Sequence, residues 1–441
     1  MVRILHIMTR MTKQRPQYLV RPGTAVLTRG FDPRLSVGSA RPAVFRSSTY
    51  VFNTPESAAH AFDVALGKVK PKEGEAVDLI YARLSHPNAE ILEDQIVPLE
   101  RGATAAAVFN SGMAAISTAF LTFCSPGQSF VYTTPVYGGT SYLIRTILEP
   151  LGMKGIAVTA GDTGGLDAAI GRTKDLRVVF IETPANPTLM MTDIRRAAEA
   201  AGRHPDALLV AVDNTFLGPT FQHPLVLGAD LVLYSATKYL AGFSDMLGGV
   251  VLAKDNELIS ALRGTRAVLG NILQADECWL LDGRLPTVTL RMNRQSKNAQ
   301  RIAEGFVTHP AVRQVYYPSL FTDPEQIRIR VGQTDFPGGI FSIDLHGGRP
   351  AAWELLRSLT IARNAVSLGG VESLACHPRT TTHSEMTEEE LDRSGIGEGL
   401  VRISVGIEDW RDLQRDIHDA LDAVVTAGLH EVHVAEPVKA R

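Results

Sequence analysis

The apolar positions along the chain change period several times. From about residue 86, short runs rich in Ala, Val, Leu and Phe alternate with longer segments of helical period. The short runs predict strands over 105–109, 129–133, 178–182, 208–213, 231–234 and 249–253. The segments between them predict helices over 113–123, 140–151, 193–202 and 258–269. Continuous apolar strands separated by helices predict an α/β fold with a mostly parallel sheet covered on both faces. From about residue 290 the pattern becomes α+β. It predicts a long helix over 287–308, strands over 339–345, 361–367 and 400–405, and an amphipathic helix over 410–425. The first 85 residues keep neither period. Pro16, Pro22, Pro33, Pro42, Pro55 and Pro71 interrupt them, and a polar stretch covers 67–78. The expected division is an arm over 1–85 lying on another surface, a neighbouring subunit's among them, a large domain over 86–290, and a smaller domain over 291–441.

Composition narrows the function. In 441 residues, 44 Lys+Arg face 47 Asp+Glu, a net charge of −3. Near-neutrality argues against a nucleic-acid binder that works by neutralising phosphates. The apolar share of 45% argues against a disordered chain. The longest apolar stretch, 103–124, is broken by Asn110, Ser111 and Gly112, so a strand–turn–helix is expected there and no membrane span. Cys124, Cys278 and Cys376 lack Cys-x-x-Cys spacing, and no metal-ligand spacing surrounds His377 and His383. Neither a disulfide framework nor a metal centre is expected, and a reducing cytoplasm fits. Arg3, Arg10, Lys13, Arg15, Arg21 and Arg29 all precede the first acid, Asp32. A basic arm, or translation from Met11, is the plainer reading, and an organelle transit peptide is the alternative.

Polar residues gather where the predicted parallel strands end, the edge at which such sheets bind ligands. Lys238 follows a buried strand within Ser235-Ala236-Thr237-Lys238-Tyr239. A partly desolvated lysine loses basicity and becomes a nucleophile able to form a Schiff base, and the flanking hydroxyls of Ser235 and Thr237 suit a phosphate. Asp213 ends the strand before it, placed to hold a pyridinium nitrogen protonated. Asn110-Ser111-Gly112-Met113 opens an apolar helix, where free N–H groups meet an anion. Tyr137 lies just past a strand and could stack on a flat ring. Each feature alone has an ordinary explanation: a surface lysine, a turn aspartate, an N-cap serine, a packed tyrosine. Together and in this order they predict a pyridoxal 5'-phosphate site on an aminotransferase-like fold (fold type I). No Gly-x-Gly-x-x-Gly follows the first strand, which disfavours a dinucleotide-binding dehydrogenase.

From about residue 45 to 421 the chain resembles the Cys/Met-metabolism family of such enzymes, which includes cystathionine γ-synthase, cystathionine β- and γ-lyases, methionine γ-lyase and acylhomoserine sulfhydrylases. The resemblance rests on Tyr81-Ala82-Arg83, Ser111-Gly112-Met113, Tyr137-Gly138-Gly139-Thr140, Glu182-Thr183-Pro184-Ala185-Asn186-Pro187, Asp213-Asn214-Thr215, Ser235 through Lys238, Ser367-Leu368-Gly369-Gly370 and Arg402 in Val401-Arg402-Ile403-Ser404. It implies that Lys238 is the Schiff-base lysine and proton shuttle, with Tyr137 beside it as a second acid–base group. It implies that Gly112, Met113, Ser235 and Thr237 hold the phosphate, Asp213 the ring nitrogen, and Asn186 the neighbourhood of the ring oxygen. Tyr81 and Arg83 would reach the phosphate of a neighbouring subunit, which implies a homo-oligomer, commonly a dimer of dimers. Arg402, aided by Ser367, would clamp the carboxylate of an amino-acid substrate.

The activity so implied is γ-replacement or γ-elimination on a sulfur-containing or homoserine-derived amino acid, of the cystathionine γ-synthase or γ-lyase kind. The alternatives are a methionine γ-lyase-type or β-lyase activity and, in another class, a non-catalytic homologue that only binds the cofactor. Four positions depart from the relatives. Gly139 stands where methionine γ-lyases typically have cysteine. Val366 stands where many cystathionine-handling relatives have glutamate. Phe243 and Tyr234 each stand where histidine is usual.

Overall fold

The computed structural model describes residues 21–430 apart from Glu73, Gly74 and Ala76. Most of the basic N-terminal tract, and so the question of its role, lies outside the described residues. Seven strands form the main sheet: β1 (Ala105–Phe109), β2 (Ser129–Thr134), β3 (Lys154–Thr159), β4 (Leu176–Glu182), β5 (Leu209–Asp213), β6 (Leu231–Ser235) and β7 (Gly249–Ala253). Their order is β1-β7-β6-β5-β4-β2-β3, and only β7 runs against its neighbours. The expected mostly parallel α/β sheet is therefore present.

Alternation along β4 shows how both faces are covered. Val178 and Phe180 join Phe120, Phe130 and Ile259 on one face, beneath the helices Gly112–Phe123 and Asn256–Leu269. Val179 and Ile181 join Leu166, Ile170 and Ile194 on the other, beneath Thr163–Arg172 and Ile194–Gly202. Each such side chain removed from water contributes about 1.5–3 kcal/mol. The parallel strands β2, β4, β5 and β6 end on one edge, where β1 also ends, and every chemically interesting loop of this domain leaves from it.

The second sheet contains β8 (Val312–Tyr316), β9 (Ile340–Leu345), β10 (Arg363–Asn364), β11 (Leu374–Cys376) and β12 (Leu400–Ser404), in the order β10-β11-β12-β9-β8. The helix Trp410–Thr426 lays Leu413, Ile417, Ala420, Leu421 and Val424 in the same apolar cluster as Phe341, Ile343, Val401 and Ile403. Three expectations shift. The strand expected over 361–367 is only Arg363–Asn364, because the chain turns away and Ser367 takes a left-handed φ of 99°. The helix expected over 140–151 begins at Gly138 and widens to a π-turn at Ile144–Leu148. The helix expected over 287–308 is Val288–Gly305, entered through the tight turn Leu285–Thr287.

Part of the N-terminal arm packs on its own chain. In the helix Pro22–Thr28, Val26 is buried and its carbonyl accepts the Gln95 side-chain amide at 2.9 Å. Further along the arm, Val37, Val51 and Leu66 stay exposed. Among the described residues, no helix is long and apolar enough to cross a membrane. The three cysteines are buried and unpaired.

Candidate active site

The loops at the strand ends enclose a cavity of about 580 Å³. It gathers ten of the twelve residues expected at the site: Gly112, Met113, Tyr137, Asn186, Asp213, Ser235, Thr237, Lys238, Ser367 and Arg402. Tyr81 and Arg83 do not line it. Arg83 instead donates to the Ala267 carbonyl at 2.6 Å, and the Tyr81 side chain lies largely exposed beside it.

One end of the cavity is a polar cradle. Ser111 caps the helix Gly112–Phe123 by accepting the Ala114 N–H at 3.0 Å. The first N–H groups of that helix, from Gly112 and Met113, have no acceptor within it. Gly112 lies so close to Ser235 that a Cβ on it would stand 2.8 Å from the serine Cβ. Only glycine allows this approach. Thr237 Oγ1 accepts the Gly248 N–H at 3.0 Å and donates to the Gly248 carbonyl at 3.3 Å, a long bond that a phosphate oxygen could replace. Helix N–H groups plus two hydroxyls suit a phosphate dianion.

Asp213 ends β5, buried but for the edge it turns to the cavity. Its Oδ1 accepts the Thr215 N–H at 3.1 Å and hydroxyl at 2.6 Å. Burial raises its pKa, and those two bonds oppose the rise. A buried carboxylate with one bonded oxygen suits a protonated ring nitrogen, which would restore the charge balance that burial disturbs. The Lys238 amine donates to Ser367 Oγ at 2.9 Å. Burial first, then the Arg402 charge, bring its pKa down to about 8. Near neutral pH a useful fraction is therefore an uncharged nucleophile. The Tyr137 ring closes one side, and a Cβ on Gly139 would stand 2.7 Å from it and 3.1 Å from Met113 Sδ. The residues present fit pyridoxal 5'-phosphate.

Arg402, carried on β12, is buried and held from two sides. It donates to Asn186 Oδ1 at 2.9 Å and to the Ser367 carbonyl at 2.8 Å. Its Nε has no partner despite being buried. A donor left so in a planar fork is matched to an incoming carboxylate. The left-handed Ser367 is what turns both its hydroxyl and its carbonyl to these two cations.

The rest of the wall differs in kind. Ile116, Tyr142, Phe216, Leu247 and Val366 line it, with Thr381, Thr382 and Glu385 from the segment between β11 and β12. Val366 is 54% exposed on this wall. Sequence reasoning missed this loop, whose residues have no motif. It also left Glu182 without a role, although the residue ends β4 and faces Asp213 in register. Burial first, then Asp213, push the Glu182 pKa up, while the Tyr137 and Asn186 N–H groups and Arg402 pull it down. His383, around which the sequence offers no metal-ligand spacing, is fully buried, and burial with the Arg402 charge lowers its pKa to about 4. Away from the cavity, Asp422 joins His309 and His418 at 3.2 Å each, a grouping assembled from two distant segments.

The chain matches the Cys/Met metabolism PLP-dependent enzyme family over residues 23–422. It is 38% identical to an L-methionine gamma-lyase of Pseudomonas deceptionensis over 403 residues, 91% of this chain and 97% of that one. It is 39% identical to a cystathionine beta-lyase of Bacillus subtilis over 344 residues, 78% of this chain and 86% of that one. The structure of a cystathionine gamma-lyase from Micromonospora echinospora superposes with a TM-score of 0.82 and 37% identity, covering 91% of this chain and 99% of that one. A cystathionine gamma-synthase from Xanthomonas oryzae, solved with cystathionine, gives 0.83 and 33%, covering 92% and 99%.

Proposed function

The chain belongs to the Cys/Met metabolism PLP-dependent enzyme family, and from that premise we propose that it acts at the γ-carbon of a sulfur-containing or homoserine-derived amino acid whose far end carries no charge. The observation that carries the second half is Val366, half exposed on the cavity wall, at the position where many cystathionine-handling relatives have glutamate. A distal ammonium would lose its water there and gain no partner from this position.

Bound pyridoxal 5'-phosphate supplies an electron sink for the bonds at the substrate α-carbon. The chain's own groups supply the rest. Arg402 binds the substrate carboxylate through its free Nε and the remaining hydrogens of its two amino groups, which fixes the amino acid's orientation. Lys238 Nζ, uncharged in part near neutral pH, takes the proton from Cα and returns it to a later carbon. Ser367 Oγ accepts from that amine and orients it whenever it is free. Tyr137 keeps the ring plane fixed and excludes water from one face. Apolar side chains line the remaining space and accept a thioether or an ester-like leaving group.

Glu385 on the rim favours a second reading, in which it replaces the missing glutamate and accepts a distal ammonium, as cystathionine would present. Product analysis separates the two. Holoenzyme given methionine or O-acetylhomoserine, with and without added thiol, should release 2-oxobutanoate or a new thioether faster than it processes cystathionine. Preference for cystathionine that is lost in Glu385→Gln supports the second reading, and pyruvate as the main product contradicts both.

The reading extends to the assembly. Exposed Val37, Val51 and Leu66 on the arm, and Tyr81 and Arg83 outside their own cavity, support a homo-oligomer in which the latter two serve a neighbouring copy. The reading includes the cytoplasm, and the divisions 1–85, 86–290 and 291–441 as arm, cofactor domain and closing domain. Mixing Arg83→Ala with Lys238→Ala protein should restore part of the activity, since one site in a mixed dimer keeps both groups; no recovery after verified subunit exchange overturns the shared site.

A further inference from the structure

Glu182 has been given no role so far, yet its two oxygens join the two halves of the site. Oε2 accepts the Tyr137 backbone N–H at 2.7 Å, and Oε1 accepts the Asn186 backbone N–H at 3.3 Å. These N–H groups belong to turns that leave different strands, β2 and β4. Beyond the first turn is the Tyr137 ring; beyond the second is Asn186 Oδ1, which accepts from Arg402 at 2.9 Å. Glu182 is itself fixed by its own N–H, which donates to Thr133 Oγ1 at 3.1 Å inside the core.

We propose that Glu182 is a positioning residue: one buried carboxyl sets both the place of the Tyr137 ring against the cofactor and, through Asn186, the angle of the Arg402 fork. Burying a carboxyl beside Asp213 is costly, and an apolar residue would fill the space without that cost. Two backbone N–H groups would then lose their acceptor, and the two turns would be free to settle independently. The unequal bonds give the proposal a graded signature. A glutamine keeps one carbonyl oxygen, which would stay on the short Tyr137 bond. Its amide nitrogen would then face the Asn186 N–H, so the Arg402 branch loses its support first. An alanine releases both branches.

The inference rests on the family cofactor and on Arg402 as the carboxylate clamp. The test uses holoenzyme and two readouts that a purely structural role would not separate. The first is the visible circular dichroism per bound cofactor, which reports the ring's surroundings. The second is the dissociation constant of L-norleucine, which offers a carboxylate but no leaving group at Cγ, followed by the change in visible absorbance. In Glu182→Gln we expect near-native dichroism with a norleucine constant raised about 3- to 10-fold, the size of one lost neutral hydrogen bond. In Glu182→Ala both should change. Unchanged norleucine binding in Glu182→Gln overturns the proposal, as does unchanged dichroism in Glu182→Ala. If the alanine variant does not fold, the glutamine result decides alone. If wild-type protein does not bind norleucine, the substrate reading fails, and the dichroism of Glu182→Ala still decides the cofactor branch.

Discussion

The two ends of the cavity are built on opposite principles. At the cradle, these polar side chains are buried or half-buried and paired: Asp213 to Thr215, Thr237 to Gly248, Lys238 to Ser367, Arg402 to Asn186. At the rim, Tyr142, Leu247 and Val366 are largely exposed and bonded to little. Most of the cradle's residues come from short runs at successive strand ends of the main sheet, and Ser367 and Arg402 join them from the second sheet. The rim's residues come from segments scattered between Ile116 and Glu385, with few side-chain bonds among them. The first arrangement specifies a reaction and tolerates little change. The second specifies which substrate enters, and one substitution can redirect it.

The largest contrast should come from the cradle. Lys238→Ala removes the amine that we propose moves the Cα proton, and turnover should fall on the order of 10³-fold or more. Assay of 2-oxo acid release measures this, and a loss below tenfold would mean another base does the work. Arg402→Lys keeps the charge and removes the fork. Because two of the fork's nitrogens are already committed to Asn186 and Ser367, a point charge cannot hold all three partners, and KM should rise about 10²-fold with a smaller fall in kcat.

His383 links the two ends, buried beside the Arg402 charge and bonded through Nδ1 to the rim residue Thr382 at 2.9 Å. Its pKa falls from the ordinary 6.5 to about 4. Between those values the unfolded chain takes up a proton that the folded chain refuses. Folding stability therefore rises with pH in this window and is lost as pH falls through it, by about 3 kcal/mol in all. His383→Gln should flatten the midpoint-against-pH curve between pH 6.5 and 4; an unaltered slope would mean that other groups carry the acid sensitivity.

The same contrast governs what the sequence could tell. Strands β4, β5 and β6 were legible because they are buried on both faces and therefore apolar throughout. The cradle was legible because its chemistry sits in contiguous runs such as Ser235 through Lys238. The edge strand β3 was not anticipated, since five of its six residues lie partly or largely exposed and its pattern of Lys154, Gly155 and Thr159 is not a core pattern. The strand expected over 361–367 was overread because Ile361, Ala362 and Val366 look like a strand, while Ser367 must leave it to reach Lys238. The bond from Glu182 to the Tyr137 N–H spans 45 residues and two strands. No local pattern announces it, and only the sheet register brings those positions together.

The division between a fixed reaction and an adjustable rim is tested most directly at Val366. The measurement is the ratio of kcat/KM for methionine to that for cystathionine, in wild-type protein and in Val366→Glu. An acid placed on that wall should attract a distal ammonium and repay part of its lost hydration, moving the ratio toward cystathionine by about tenfold. The amount of bound cofactor should stay the same, because the cradle is untouched. A ratio that does not move, or a variant that loses its cofactor together with both activities, would contradict the separation of the two ends.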